Sequence, residues 1–202
     1  MSENKKIAVV GGGHAGIEAA FALSRMGLFP SIITLDKTTV GRLSCNPAIG
    51  GLAKSHLVKE IDALGGIMGG AADACSIQFK TLNKTKGRAV WSLRAQVDKK
   101  KYPLYIKTLL KKHTSISLIE DEAVGVLLKS GKVCGLKLKN GKSFLCEAAI
   151  ITSGTFLNGL IHIGINTYKA GRMGERASFG LTESFKELGF DVGRLKTGTP
   201  PR

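Results

Sequence analysis

The sequence Gly-Gly-Gly-His-Ala-Gly at residues 11–16 stands between a short apolar strand and an amphipathic helix. The spacing of Gly11, Gly13 and Gly16 is that of a dinucleotide-binding turn. Its glycines allow a tight turn, a close approach of the backbone to a pyrophosphate and close packing of helix on strand. The first turn of a helix also carries unpaired N–H groups and a positive dipole end, which favour phosphate groups. The segment therefore predicts a Rossmann-like strand–turn–helix unit.

The flanking residues agree with this prediction. Residues 7–10 form a fully apolar strand, and a helix is expected over residues 15–26. A second strand at residues 31–35 ends at Asp36, where a carboxylate can bind a ribose hydroxyl. The predicted dinucleotide-binding residues are Gly11, Gly12, Gly13, His14, Ala15, Gly16 and Asp36. The alternative is a glycine turn that binds no ligand.

The next part of the chain predicts helices joined by loops. A loop at residues 38–51 precedes a helix at residues 52–64, whose apolar face is formed by Ala53, Leu57, Ile61 and Leu64. Residues 65–90 are glycine-rich and predict irregular structure. A further helix is expected over residues 101–112, with Tyr102, Tyr105, Ile106, Leu109 and Leu110 on one stripe.

The hydrophobic period then changes to two, which predicts a small antiparallel β meander over about residues 115–147. Its strands are expected at residues 116–119, 123–128, 133–138 and 143–146, with a type I′ turn at Asn140-Gly141. A buried strand at residues 148–152 and a helix at residues 181–188 follow. The predicted fold class is α/β, and the whole of residues 1–202 is assigned to the N-terminal part of one domain.

A phosphate loop followed by a meander and a returning parallel strand is typical of flavoproteins of the glutathione-reductase type. By this fold analogy the sequence favours FAD over NAD as the dinucleotide. The formal charge of +15, from 30 Lys and Arg against 15 Asp and Glu, favours a polyanionic partner. The lysine run at residues 99–101 is either a solvated surface or a phosphate contact.

Other features predict the cellular setting. No apolar run approaches the roughly 20 residues that span a bilayer, and the first residues lack the apolar core of a signal peptide. A cytoplasmic chain without a membrane association is therefore expected. The four cysteines and four histidines lack metal-ligand spacing, so no metal site is predicted and the cysteines are expected to be free thiols.

Several sequence blocks resemble the MnmG (GidA) family of tRNA wobble-uridine modification enzymes. After the phosphate loop, the most specific is Ser-Cys-Asn-Pro-Ala-Ile-Gly-Gly at residues 44–51. Further matches at residues 59–66, 154–159 and 196–202 follow in the family order, so the resemblance spans nearly the whole chain. Arg88 and Trp91 depart from the family pattern, which usually has proline and arginine there.

The resemblance implies an FAD enzyme that works with the GTPase MnmE. Together they add an aminomethyl or carboxymethylaminomethyl group at C5 of the wobble uridine of tRNA. NADH and methylenetetrahydrofolate are the implied co-substrates, and a homodimer is the implied state of the full-length protein. Val124 and Ser178 are implied as further FAD contacts. Because family members are much longer, we expect the rest of the enzyme to be missing after residue 202 and the fragment to be inactive alone.

Cys45 is the predicted catalytic residue. A thiolate that adds to C6 of uracil makes C5 nucleophilic, and a helix after Gly50-Gly51 can stabilise such a thiolate. The resemblance strengthens this interpretation over that of a buried structural cysteine, although a flavin-positioning role stays open. Two other functions also stay open: a general FAD oxidoreductase acting on a small molecule, and a non-catalytic dinucleotide-binding module.

Overall fold

The computed structural model describes residues 6–44, 46–171, 174–196 and 198. Its strands and helices alternate at first and give way to a run of short strands. In chain order they are β1 (Lys6–Val10), α1 (His14–Arg25), β2 (Phe29–Thr34), β3 (Ala48–Gly50), α2 (Ser55–Ala63), α3 (Met68–Cys75), β4 (Ser76–Leu82), β5 (Ser92–Val97), α4 (Lys101–Lys112), β6 (Ser117–Glu120), β7 (Ala123–Lys129), β8 (Lys132–Leu138), β9 (Ser143–Leu145), β10 (Ala148–Ile151), β11 (Ile161–Ile163), β12 (Asn166–Tyr168) and α5 (Leu181–Glu187).

A four-stranded parallel sheet in the order β10-β1-β2-β6 forms the centre of the fold. Alternate side chains of its strands point to opposite faces, so Val9 and Ile32 belong to one core cluster and Val10 and Ile33 to another. Helices α1, α3 and α4 cover the first face, whereas β8 and α5 contribute to the second. This layered arrangement confirms the α/β, Rossmann-like fold class.

The predicted helices α1 and α4 are confirmed. The inner residues expected for α1 are all buried: Ile17, Ala20, Phe21 and Leu23. In α4, Tyr102, Ile106 and Leu110 are buried, but Tyr105 lies at the surface. None of the helices in the described ranges is both long and apolar enough to cross a bilayer.

The meander is smaller than predicted. Strand β6 pairs in parallel with β2 in the central sheet, so only β7, β8 and β9 form the antiparallel meander. A short apolar strand has the same period in either sheet, and the helix α4 before it decides where it pairs. The type I′ prediction at Asn140-Gly141 is also wrong, because only Gly141 of that pair has a positive φ. Ser130 and Gly131, between β7 and β8, both do, as a type I′ turn requires.

Residues 65–90, predicted to be irregular, contain α3 and β4, and β3, β5 and β4 form a second antiparallel sheet. Tertiary contacts stabilise α3 despite its two glycines. The Glu18 carboxylate on α1 accepts the N–H groups of Ile67 (3.0 Å) and Met68 (2.6 Å) at the start of α3. A Cβ on Gly69 would stand 2.5 Å from Asp62 Oδ1, so the absence of a side chain lets the Asp62 carboxylate on α2 lie against α3.

The apolar face predicted for α2 is not buried among the described residues. The helix begins at Ser55 rather than at residue 52, and Ala53 has a φ of +56°. Leu57 is 51% exposed and Leu64 is 80% exposed. The apolar period of this segment therefore predicts the helix, but it does not predict which surface covers the apolar face.

Candidate dinucleotide-binding site

Two of the three fingerprint glycines are required by packing. Gly11 has a φ of +109° and donates its N–H to the Ile33 carbonyl at 2.8 Å, and a Cβ on it would overlap the Thr152 carbonyl. A Cβ on Gly16 would overlap the Gly11 carbonyl and stand 2.7 Å from Thr152 Oγ1. These glycines let the start of α1 lie against the carboxyl ends of β1 and β10.

Gly13 has a different environment. Its φ of −79° and ψ of −176° suit any residue, and no atom lies within 4 Å of a Cβ built on it. It is the N-cap of α1, and because glycine has no side-chain acceptor, it gives the N–H groups of the first turn no side-chain cap. No acidic residue lies in that turn. The space beside Gly13 is therefore suited to an anionic group that approaches the backbone closely.

Gly12 joins the phosphate loop to the segment that follows β2. Its carbonyl accepts the N–H of Gly41 at 3.0 Å, and a Cβ on it would stand 2.9 Å from Val40 Cγ2. Residues 40–41 therefore pack directly on the loop. They fix its position relative to Asp36, the predicted ribose-binding acid.

His14 and Ala15 occupy the first turn of α1. The His14 ring meets the Tyr102 ring edge-on at 5.7 Å, and burial lowers the pKa of the imidazole, so His14 is neutral at pH 7. Ala15 is exposed. Neither of these two predicted residues carries a charged side chain at neutral pH.

Asp36 follows the last residues of β2, at the carboxyl edge of the sheet. Its Oδ1 accepts the backbone N–H of Thr38 at 2.7 Å and the Thr38 hydroxyl at 2.6 Å. These hydrogen bonds, that of the hydroxyl first, lower the pKa of Asp36, so the carboxylate is ionised at neutral pH. An ionised carboxylate held in this way is suited to accept a ribose hydroxyl.

Val124 and Ser178 come together on the meander side of the fold. Gly180 packs on Val124 so closely that a Cβ on it would stand 3.0 Å from Val124 Cβ. Ser178 donates its N–H to the Phe156 carbonyl at 3.0 Å and accepts that of Asn158 at 2.8 Å. The residues that follow β10 therefore support Ser178 from one side and β7 supports its neighbours from the other.

Glu122 is a residue of this region that the sequence analysis missed. It is buried, and its Oε1 accepts the N–H of Phe179 at 3.0 Å while Oε2 pairs with Lys139 Nζ at 2.6 Å. Burial raises the pKa of Glu122, but hydrogen bonds from Lys139, Phe179 and the Ser178 hydroxyl outweigh it and lower the pKa overall. The only sequence signal is an acid directly before an apolar strand, which is also common at surfaces.

An ion pair connects the two halves of the candidate site. Arg42, after β2, approaches Glu175 at 2.8 Å, three residues before Ser178. The structure thus brings the phosphate loop together with Asp36, and Val124 together with Ser178. Arg42 and Glu175 join the loop after β2 to the segment that leads to Ser178.

Cys45 lies outside the described residues. On its C-terminal side, Gly50 and Gly51 have positive φ angles and lead toward α2, and a Cβ on Gly50 would stand 2.5 Å from the Leu93 carbonyl. The other three cysteines, Cys75, Cys134 and Cys146, are free thiols, as predicted. Cys75 and Cys146 are buried, and burial raises the pKa of both. Cys134 lies in β8 and its Sγ donates to the Leu127 carbonyl at 3.4 Å.

Arg88 and Trp91, which depart from the family pattern, contact each other. The Arg88 guanidinium lies 5.8 Å from the centre of the Trp91 ring, within the range of a cation–π interaction. The two departures therefore form one local contact in the turn between β4 and β5.

Comparison with known proteins identifies relatives along nearly the whole chain. The family model described as glucose inhibited division protein A matches residues 6–202. The tRNA uridine 5-carboxymethylaminomethyl modification enzyme MnmG of Thermodesulfovibrio yellowstonii is 53% identical over 196 residues, covering 97% of this chain and 31% of that protein. The enzyme of the same name from Chlorobaculum tepidum is 52% identical over 197 residues, covering 97% of this chain and 32% of that protein.

Solved structures of related proteins also match this chain. A crystal structure of Aquifex aeolicus GidA matches with a TM-score of 0.92 and 46% identity, covering 98% of this chain and 33% of that one. A GidA-related protein from Thermus thermophilus has a TM-score of 0.65 at 22% identity, with 94% and 70% coverage, and shows the fold alone. The chain spans about a third of the length of the curated relatives that it matches. Because the family model covers nearly all of it, the chain belongs to the glucose inhibited division protein A (GidA) family.

Proposed function

We propose that this chain belongs to an FAD-dependent enzyme that modifies C5 of the wobble uridine of tRNA. The observation that carries the proposal is the name of its relatives: a protein 53% identical across 97% of the chain is a tRNA uridine 5-carboxymethylaminomethyl modification enzyme. In this function the MnmE GTPase is the partner, NADH and methylenetetrahydrofolate are co-substrates, and the full-length protein is a cytoplasmic homodimer.

The phosphate loop fits the pyrophosphate of FAD. Gly11 and Gly16 satisfy internal packing, whereas the open space at Gly13 has no structural use within the described residues and lies at the uncapped end of α1. We assign the pyrophosphate to the backbone of residues 11–16 and a hydroxyl of the adenosine ribose to Asp36. In this division of roles, packing requires Gly11 and Gly16, and the bound pyrophosphate requires Gly13.

Val124 and Ser178 are proposed as contacts to a more distant part of the cofactor. Glu122 holds the Ser178–Gly180 segment against β7 and, being ionised, keeps the Ser178 hydroxyl turned toward itself. The serine and the valine would then present a preformed surface to the ligand. FAD, when bound, supplies the redox chemistry through which a carbon derived from methylenetetrahydrofolate is passed on, with NADH as reductant.

Cys45 is proposed as the nucleophile that activates the uracil ring. Its thiolate adds to C6, electron density moves through the ring to C5, and C5 then attacks the one-carbon electrophile. Loss of the C5 proton and departure of the thiolate restore the ring. The buried thiols Cys75 and Cys146 have raised pKa values, which makes them poor alternatives for this role.

The test is nucleoside mass spectrometry of tRNA from cells that depend on the full-length protein. We expect Cys45→Ser to retain FAD and tRNA binding but to abolish the C5 modification, while Cys134→Ser, a matched thiol substitution in β8, retains it. Normal modification in Cys45→Ser would remove Cys45 from the mechanism. A wild-type protein that binds FAD but neither binds nor modifies tRNA would favour a small-molecule oxidoreductase instead.

A further inference from the structure

A groove lined by four cationic side chains lies beside the proposed cofactor site. Arg42, Lys99, Lys100 and Lys107 surround it, and Thr38, Pro103 and Leu104 complete its walls. Its volume of about 640 Å³ is large enough for a sugar and a phosphodiester group. None of the residues that line it is acidic.

The surrounding sequence keeps this surface positive. Residues 99–112 contain six lysines and no Asp or Glu. The acid just ahead of them, Asp98, accepts the N–H groups of Lys100 (2.7 Å) and Lys101 (2.9 Å) with its Oδ1 at the start of α4, and its single negative charge is outnumbered by the six lysines. Glu175 pairs with Arg42, which leaves three lysines as the main source of positive potential in the groove.

The groove lies at the carboxyl edge of the parallel sheet, where α/β proteins bind their ligands. Lys107 Nζ donates to the Thr38 carbonyl, and Thr38 in turn donates to Asp36, so the groove adjoins the residue assigned to the adenosine ribose. Helix α4 begins at this edge of the sheet. Lys99 and Lys100, which directly precede it, therefore lie on the cofactor side of the molecule.

We propose that this groove binds backbone phosphates of the tRNA substrate. The inference rests on the proposed function, which requires a tRNA to approach the cofactor edge. The two phosphates of FAD are already assigned to the loop at Gly13, and its ribose to Asp36, so the cofactor offers no further negative charge to the groove. A tRNA carries a phosphate at every nucleotide and can supply several to adjacent lysines.

The experiment compares two charge-matched double variants of the full-length, FAD-loaded protein. Lys99→Gln/Lys100→Gln removes two charges from the groove, and Lys129→Gln/Lys132→Gln removes two from exposed, paired positions of the β7–β8 hairpin. The dissociation constant of tRNA is measured by fluorescence anisotropy at a series of salt concentrations, and FAD affinity and the unfolding temperature are measured beside it.

We expect the groove variant to bind tRNA about tenfold more weakly at low salt. The plot of the logarithm of the association constant against log salt should become less steep by about 2, one unit for each lysine. The hairpin variant should stay within about twofold of wild type, and Lys99→Arg/Lys100→Arg should restore the groove. FAD affinity should be unchanged in all of them.

Equal weakening by the two double variants would overturn the proposal, because it would indicate general charge attraction. A parallel loss of FAD affinity in the groove variant would assign the groove to the cofactor and also overturn it. If wild-type protein binds tRNA but the groove variant binds it equally well, the groove assignment alone fails. If wild-type protein does not bind tRNA, the proposed function fails with it.

Discussion

Because Gly13 and Gly16 have different environments, we expect substitutions at the two positions to have opposite effects on stability and on cofactor binding. In Gly13→Val the new side chain enters open space in a backbone conformation that valine accepts. The loss of a favourable N-cap residue and the gain from a less flexible unfolded chain nearly cancel, so we expect the free energy of unfolding to change by less than about 1 kcal/mol.

The same substitution removes the space assigned to the pyrophosphate. Hydrogen bonds from backbone N–H groups to a charged phosphate contribute about 1.5–3 kcal/mol each, so losing one weakens FAD binding by about 10- to 100-fold. In Gly16→Ala the added Cβ overlaps the rigid Gly11 carbonyl, which costs about 2–3 kcal/mol and lowers the unfolding temperature by about 4–12 °C.

Thermal unfolding without FAD and fluorescence titration with FAD measure the two effects separately. Gly16→Ala is the control for a packing defect, because it should lose stability before any ligand is added. Wild-type FAD affinity in Gly13→Val would refute the assignment of the loop. A fall of the unfolding temperature in Gly13→Val as large as in Gly16→Ala would refute the structural distinction between the two glycines.

Two further predictions concern carboxylates. Asp36→Asn should keep the turn, because an amide oxygen still accepts the Thr38 N–H, but it should weaken FAD binding about fivefold. Asp98→Asn changes a carboxylate that accepts backbone N–H groups in a similar way, and it should leave FAD binding unchanged in the same titration. Equal effects of the two substitutions would contradict the ribose assignment. Glu122→Gln should lower the free energy of unfolding at pH 7 by about 1 kcal/mol, a modest loss because the Lys139 side chain is 57% exposed. Since the pKa of Glu122 is lowered in the folded state, wild type has this stabilisation above about pH 4.5 and loses it as the pH falls through the folded-state pKa. Urea unfolding at pH 7 and pH 3 should therefore show the difference between wild type and Glu122→Gln shrinking, and a constant difference would contradict the ion-pair explanation.

Local sequence predicted the strand, turn and helix around the fingerprint glycines, which are contiguous in the chain. The fingerprint glycines, the strand before them and the helix after them occupy 20 consecutive residues, Lys6 to Arg25, and each has a propensity that agrees with its place. The position of Asp36 after β2 was predictable for the same reason, since its distance from the turn is set by one helix and one strand. The amphipathic period of α4 likewise gave its bounds.

Contacts between distant segments decided the remainder. Helix α3 has two glycines and forms where Glu18 caps it from α1, and β6 joins the central sheet because α4 returns the chain beside β2. Glu122 acquires its role only when Phe179, 57 residues later in the chain, donates to it. Periodicity reports which side chains share a face, but the partner of that face depends on long-range pairing, and that information is carried by the tertiary structure alone.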